Sequence, residues 1–154
     1  MIEKIVSGGQ TGADRAALDW AIENGLPHSG FCPRGRVAED GFIDSKYNLT
    51  ETKTINYSER TELNVLNSDG TVVFSTKGVL SGGTRDTVNF AKKLKKPCLL
   101  LRSNIEAPAQ KLKDFLLKHK IKVLNVAGPR ASKEPLVGEF VKETLAWCSQ
   151  NTFD

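Results

Sequence analysis

Cysteine, histidine, methionine and aromatic residues are all scarce in this 154-residue chain, with three cysteines, two histidines, one methionine and 7% Phe, Trp and Tyr. Cys32, Cys98 and Cys148 are odd in number and too far apart for a CxxC site, so no disulfide framework is expected and a reducing cytoplasm fits best. With His28 and His119 equally dispersed, no zinc or iron ligand spacing exists, and no metal site is expected. So few aromatics leave no stacking platform for single-stranded nucleic acid. No apolar run approaches the length of a membrane span and no signal peptide is recognisable, so the expected protein is cytoplasmic, neither exported nor in contact with a membrane.

What is present fits one α/β domain, since chains of this length support a proper core without staples. Lys and Arg number 22 against 18 Asp and Glu, a formal +4 that favours an acidic small ligand as much as nucleic acid. The dense lysines, Lys92-Lys93-Leu94-Lys95-Lys96 and those within residues 111–122, fall on predicted helices where they solvate an outer face, so no nucleic-acid partner is expected. Cys98 and Cys148 read as small buried hydrophobes. Cys32, before Pro33 in a predicted loop, has only His28 near it in sequence and reads as structural.

The chain is organised around its opening. An apolar strand ending at Val6 runs into Ser7-Gly8-Gly9-Gln10-Thr11-Gly12, and then small and apolar residues recur at Ala13, Ala16, Ala17, Trp20 and Ala21, the spacing of a helical stripe. Glycines there let backbone amides approach a ligand, and the helix start adds unpaired N–H groups and a positive dipole end. A tight turn capped by Thr11 or Asp14 accounts for the same residues without a ligand. Leu18 and Ile22, off that stripe, predict a surface buried by another subunit.

Gly25 is placed to end the first helix, and an extended segment should follow through Cys32. Pro33-Arg34-Gly35-Arg36-Val37-Ala38-Glu39-Asp40-Gly41 holds too much turn chemistry for a regular element; Arg34 and Arg36 are either a bidentate clamp for phosphate or carboxylate or a solvated basic loop. Residues 42–57 read as a long irregular connection, a candidate lid or subunit contact. Ser58 is expected to cap a helix that ends at Asn67-Ser68-Asp69-Gly70. Residues 71–75 then make a strand, and Ser81-Gly82-Gly83-Thr84-Arg85-Asp86-Thr87 makes a second glycine turn before a helix, where Thr84 and Thr87 can donate hydroxyls to an anion held by the amides of Gly83 and Thr84. Further strands are expected at residues 97–101, covered on both faces, and 121–126, the latter ending in a third loop with Gly128 and Arg130. Helices should carry Ala109, Leu112, Leu116 and His119, and, from Pro135, Leu136, Val137, Phe140, Val141, Thr144 and Cys148. Strands alternating with helices throughout imply a doubly wound, mostly parallel α/β sheet, Rossmann-like, with every special loop on one edge.

Six ordered stretches carry a family resemblance: residues 8–19, 32–41, 57–62, 67–71, 82–84 and 124–130. Together they resemble the molybdenum carrier, or molybdenum-cofactor carrier, family, a branch of the Rossmann-like superfamily that also holds the lysine-decarboxylase-like phosphoribohydrolases. The resemblance implies a homo-oligomer, dimer or tetramer, that holds molybdenum cofactor (molybdopterin) and hands it to apo-molybdoenzymes. Leu63 and Leu66 depart from the pattern, which commonly has tryptophan and arginine there.

Motif and resemblance converge on an anionic, phosphate-bearing cofactor, bound by Gly8, Gly9, Gln10, Thr11, Gly12, Arg15, Arg34, Gly35, Arg36, Arg60, Ser81, Gly82, Gly83, Thr84, Thr87, Gly128 and Arg130. Molybdate, a nucleotide or a nucleotide-sugar would present similar anions to the same loops. A phosphoribohydrolase-like N-glycosidase is the enzymatic alternative, but the second glycine loop lacks the extra glycine and the glutamate of the hydrolase pattern. Asp14, Glu62 and Asp86 are the carboxylates expected near the crevice, each equally suited to a helix start. No nucleophile stands beside a visible activator, so binding without turnover is expected.

Overall fold

The computed structural model describes residues 1–78, 80 and 82–151. In chain order its elements are β1 (Lys4–Val6), α1 (Ala13–Glu23), β2 (His28–Ser29), β3 (Phe31–Cys32), β4 (Val37–Ala38), β5 (Gly41–Phe42), β6 (Thr50–Glu51), α2 (Tyr57–Leu66), β7 (Gly70–Ser75), α3 (Gly82–Lys93), β8 (Cys98–Arg102), α4 (Pro108–Lys118), β9 (Val123–Ala127) and α5 (Val137–Gln150). Five of the strands form one parallel sheet in the order β2-β1-β9-β7-β8, so β9, which follows the other four in sequence, lies between β1 and β7. Helices α1, α4 and α5 pack together over one face, while α2 and α3 pack together on the other. This is the doubly wound, Rossmann-like arrangement that alternating strands and helices require.

The core lies where the sheet meets these helices. Ile5, Val72, Phe74, Leu101 and Leu124 from four adjacent strands are fully buried, and the small residues of α1 let α5 approach closely. Leu18 is fully buried inside this same core, because α1 faces both the sheet and α5; only Ile22 of the expected subunit surface is exposed. Strand β8 is an edge strand with Cys98, Leu99 and Leu100 half-buried, not covered on both faces. Cys32 sits in β3, fully buried, rather than in a loop, and burial pushes its thiol up.

At Gly30 the chain leaves the main sheet. Its φ is +152°, and a Cβ there would fall 1.8 Å from the Ser7 carbonyl oxygen, so only glycine lets the backbone pass this close. Beyond it, β3 pairs with β6 and is held by Asn64, whose amide side chain both donates to and accepts from the Phe31 backbone. Residues 33–42 contain a regular element after all, the β4–β5 hairpin pairing Val37 with Phe42. Residues 42–57 are folded around Arg36, whose guanidinium donates to the carbonyls of Ile43, Asp44, Tyr47 and Leu49. Five donors on one planar group can serve several carbonyls at once, which is how a stretch with so little secondary structure is held. Helix α2 starts one residue before Ser58, its cap being Asn56, which accepts from the Ser58 amide. Helix α5 begins at Val137, leaving Pro135 before it and Leu136 exposed rather than in the buried stripe.

Candidate functional site

A cleft of about 880 Å³ opens at the carboxyl ends of β1, β7 and β9. Its walls are the starts of α1, α2 and α3 and the loop of residues 127–134, so the first and second glycine stretches share one edge of one sheet. Ligands of open α/β sheets bind at such an edge. Of the residues expected from the sequence to bind, Gly8, Gln10, Arg60, Gly82, Gly83, Thr84, Thr87, Gly128 and Arg130 line it. Gly9, Thr11, Gly12, Arg15, Arg34, Gly35 and Arg36 do not, and Ser81 lies outside the described residues.

The opening stretch is largely closed on itself. The Gln10 amide donates to Asp14 Oδ2 (3.3 Å), the Thr11 amide to Gln10 Oε1 (3.0 Å), and the Ala13 amide to the Pro129 carbonyl (3.3 Å). Here the chain's own carboxylate and carbonyls take the amides that a glycine loop could offer a ligand. Gly9 and Gly12 serve packing: with φ of +82° and +81°, their missing side chains leave room for Leu49 and for the Pro129 carbonyl, which a Cβ would meet at 2.7 and 2.4 Å. Thr11 Oγ1 accepts from the Ala131 amide at 3.1 Å, tying the same two loops. Arg15 is spent on Asp40 and the Gly9 carbonyl, Gly35 donates its amide to Glu51, and Arg34 is exposed.

Gly8 does face the cleft. Its carbonyl accepts from Arg60 Nη1 at 2.8 Å, and Arg60 stands 3.6 Å from Asp14 Oδ2. A Cβ on Gly8 would lie 2.3 Å from Arg60 Nη1, so glycine is what lets the pair close over the strand end. Burial raises the Asp14 carboxyl above its ordinary value, against the opposing pull of Arg60. Of the other carboxylates expected here, Asp86 lines the cleft and Glu62 does not.

Across the cleft, Gly82, Gly83 and Thr84 form the first turn of α3 rather than a loop before it. First-turn amides have no intrahelical acceptor, and a Cβ built at Gly83 meets nothing within 4 Å. Thr87 spends its hydroxyl proton on the Gly83 carbonyl at 2.9 Å, so it cannot give that proton to an anion. Lys77, Arg130 and Lys133 add positive charge around this turn, Arg130 being shared with Glu39 at 3.8 Å. Sequence reasoning passed over Glu134, which is buried and accepts from Ser75 Oγ, Thr76 Oγ1 and the Thr76 amide. Ser75 Oγ in turn accepts from the amides of Lys77 and Gly78, so Glu134 shapes the strand end that leads to α3. Nothing in periodicity marks a carboxylate with that role; only the tertiary fold brings residue 134 to residue 75.

A family model, the circularly permutated YpsA SLOG family, matches residues 5–149. The chain belongs to this family. A crystal structure of a "putative molybdenum carrier protein" from Syntrophus aciditrophicus SB is 48% identical, with a TM-score of 0.90 over 94% of this chain and 93% of that one. The family resemblance carried by the six sequence stretches is borne out by both. No curated protein matches the chain. In this YpsA SLOG chain the cleft brings together helix-start amides, an open glycine and cations, with Asp14 beside Arg60, Glu134 hydrogen-bonded to Ser75 and Thr76, and Asp86 also in its wall. Among the described residues no three His, Cys, Asp or Glu side chains form a metal-binding group, and no helix is long and apolar enough to cross a membrane.

Proposed function

We propose that the cleft binds an anionic, phosphate-bearing cofactor, the molybdenum cofactor (molybdopterin), and that the protein stores, protects and transfers it to apo-molybdoenzymes in the cytoplasm. One observation carries the reading. Lys133 Nζ stands 3.8 Å from where a Gly82 Cβ would be, at the positive end of α3. An ammonium beside a helix start is an unfavourable pairing of like charges, which a phosphate seated between them turns favourable on both sides. The residues present fit such a group: about 880 Å³ suits a ligand of that size, and Gly83 leaves its backbone open to close approach. When bound, the pterin would supply its own dithiolene for molybdenum, and the chain would hold, orient and shield it.

The test is anaerobic: purified protein is mixed with molybdenum cofactor, the complex is weighed by native mass spectrometry, and transfer to an apo-molybdoenzyme is assayed. Binding and slowed oxidative decay are expected, both weakened in Lys133→Ala; no complex and no protection would overturn the reading. The enzymatic alternative rests on Asp14, a carboxyl in the cleft that burial shifts upward, the direction a general acid needs. Release of free base from nucleoside monophosphates, lost in Asp14→Asn, would favour it. We also propose a homo-oligomer, on the strength of the exposed Ile22, Val37, Phe42 and Ile55. A monomer by light scattering at micromolar concentration would remove that part.

A further inference from the structure

A second groove, about 890 Å³, lies between α4 and α5, on the opposite face of the sheet from α2 and α3. Leu136, Phe140, Trp147 and Pro108 give it an apolar wall; Leu136 is 66% exposed, and Phe140 and Trp147 are only half-buried. Glu139 and Glu143, exposed and one turn apart on α5, stand in that wall with no ion pair among the described residues. At its edge α4 begins with Pro108, and its cap residue Ala107 offers no side-chain acceptor, so the first-turn amides of Ala109 and Gln110 are not capped by a side chain. Thr76 lies in the groove, while its amide and hydroxyl bind Glu134 of the cleft, so the two cavities share one strand end.

We propose that this groove docks a basic, amphipathic segment of a different protein. Two features fix the chemistry. The apolar wall asks for aliphatic or aromatic side chains, and two uncompensated carboxylates on a protein of formal charge +4 ask for lysine or arginine between them. A second copy of this chain fits less well. A two-fold contact places the same patch on both sides, which would bury four glutamates in one interface with no lysine or arginine from the patch to offset them. A head-to-tail contact with the lysine-rich surfaces elsewhere on the chain does not close on itself unless the rotation happens to form a ring. This docking does not depend on what the cleft holds, and it would set a partner beside the cleft mouth, across the Thr76–Glu134 wall.

The test uses the whole protein, a short amphipathic peptide of leucine and lysine, and a matched leucine–glutamate peptide. Trp20 is buried and Trp147 is not, so a shift of tryptophan emission reports on the groove, and Trp147→Phe silences it. The lysine peptide is expected to bind saturably and the glutamate peptide not at all. Binding should weaken about tenfold in Glu139→Gln/Glu143→Gln and comparably in Leu136→Ser. These positions are exposed, so thermal midpoints should not move. Glu3→Gln, far from the groove, should leave affinity unchanged. No saturable shift, equal binding of both peptides, or binding that survives the double glutamine variant would overturn the proposal. So would self-association of the protein that Leu136→Ser abolishes, which would give the groove to a second copy.

Discussion

At Gly12 an added methyl would lie 2.4 Å from the Pro129 carbonyl oxygen, and at Gly83 it would touch nothing. The same residue type therefore does opposite work at the two places, and substitution should separate them. Gly12→Ala has both a left-handed φ and a backbone clash to overcome and should lose about 2 kcal/mol or more, measured by denaturant unfolding. Gly83→Leu should unfold at the unchanged midpoint yet bind inorganic phosphate at least tenfold more weakly by calorimetry, because the side chain fills the approach to the α3 amides. Unaltered affinity there would move the anion site elsewhere. Arg60 and Asp14 call for a pair of variants. Arg60→Ala leaves a buried carboxylate without its cation and should cost about 3 kcal/mol near neutral pH, of which Arg60→Ala/Asp14→Asn should recover a large part. Asp14's folded value is raised above 3.8, so the stability tied to its proton is full below that pH and declines as pH rises through the folded value; Asp14→Asn should flatten that decline.

Strands and helices long enough to show a period were legible in the sequence, and those below that length were not. The apolar stripe of α1, the β-branched run of β7 and the stripe of α5 locate themselves, whereas two-residue strands such as β4 and β5 cannot show alternation. Helix starts were misplaced for a related reason: Asn56 and Ser58 are equally good caps on paper, and only the tertiary fold chooses between them. The glycine-rich edge of the sheet was legible because turn chemistry is local. That Asp14 could cap the opening turn was legible for the same reason, whereas the part taken by the Pro129 carbonyl was not, since Pro129 is more than a hundred residues away. Asp69 shows an element-scale device with a pH signature. It accepts from the amides of Val123 and Lys122 at the start of β9, and the Val123 amide, with that of Lys122, holds its carboxyl below the ordinary value. The stability this gives is present above pH 3.8 and lost as pH falls through the depressed folded value, so Asp69→Asn should flatten the acid limb of a melting profile.

For the whole molecule, Lys77 and Lys133 at the cleft are exposed, so binding of a phosphate-bearing ligand should weaken as salt is raised, and Lys133→Ala should shallow that dependence. A salt-independent affinity would mean that charge is not what the cleft reads. The position of β9 carries a different consequence, one of timing. The strand that separates β1 from β7, and supplies the floor of the cleft, leaves the ribosome after the four strands it joins into one sheet. Until residues 123–127 emerge, the nascent chain holds two incomplete sheets, β2-β1 and β7-β8, each with an apolar inner edge open to solvent and to other chains. The cleft cannot form before β9 has been made, and a chain stopped short of Val123 would be cut through the middle of its sheet instead of trimmed at its margin. Such a fragment, 1–122, should neither fold cooperatively nor bind, and it should recover both on addition of the remaining segment as a separate peptide.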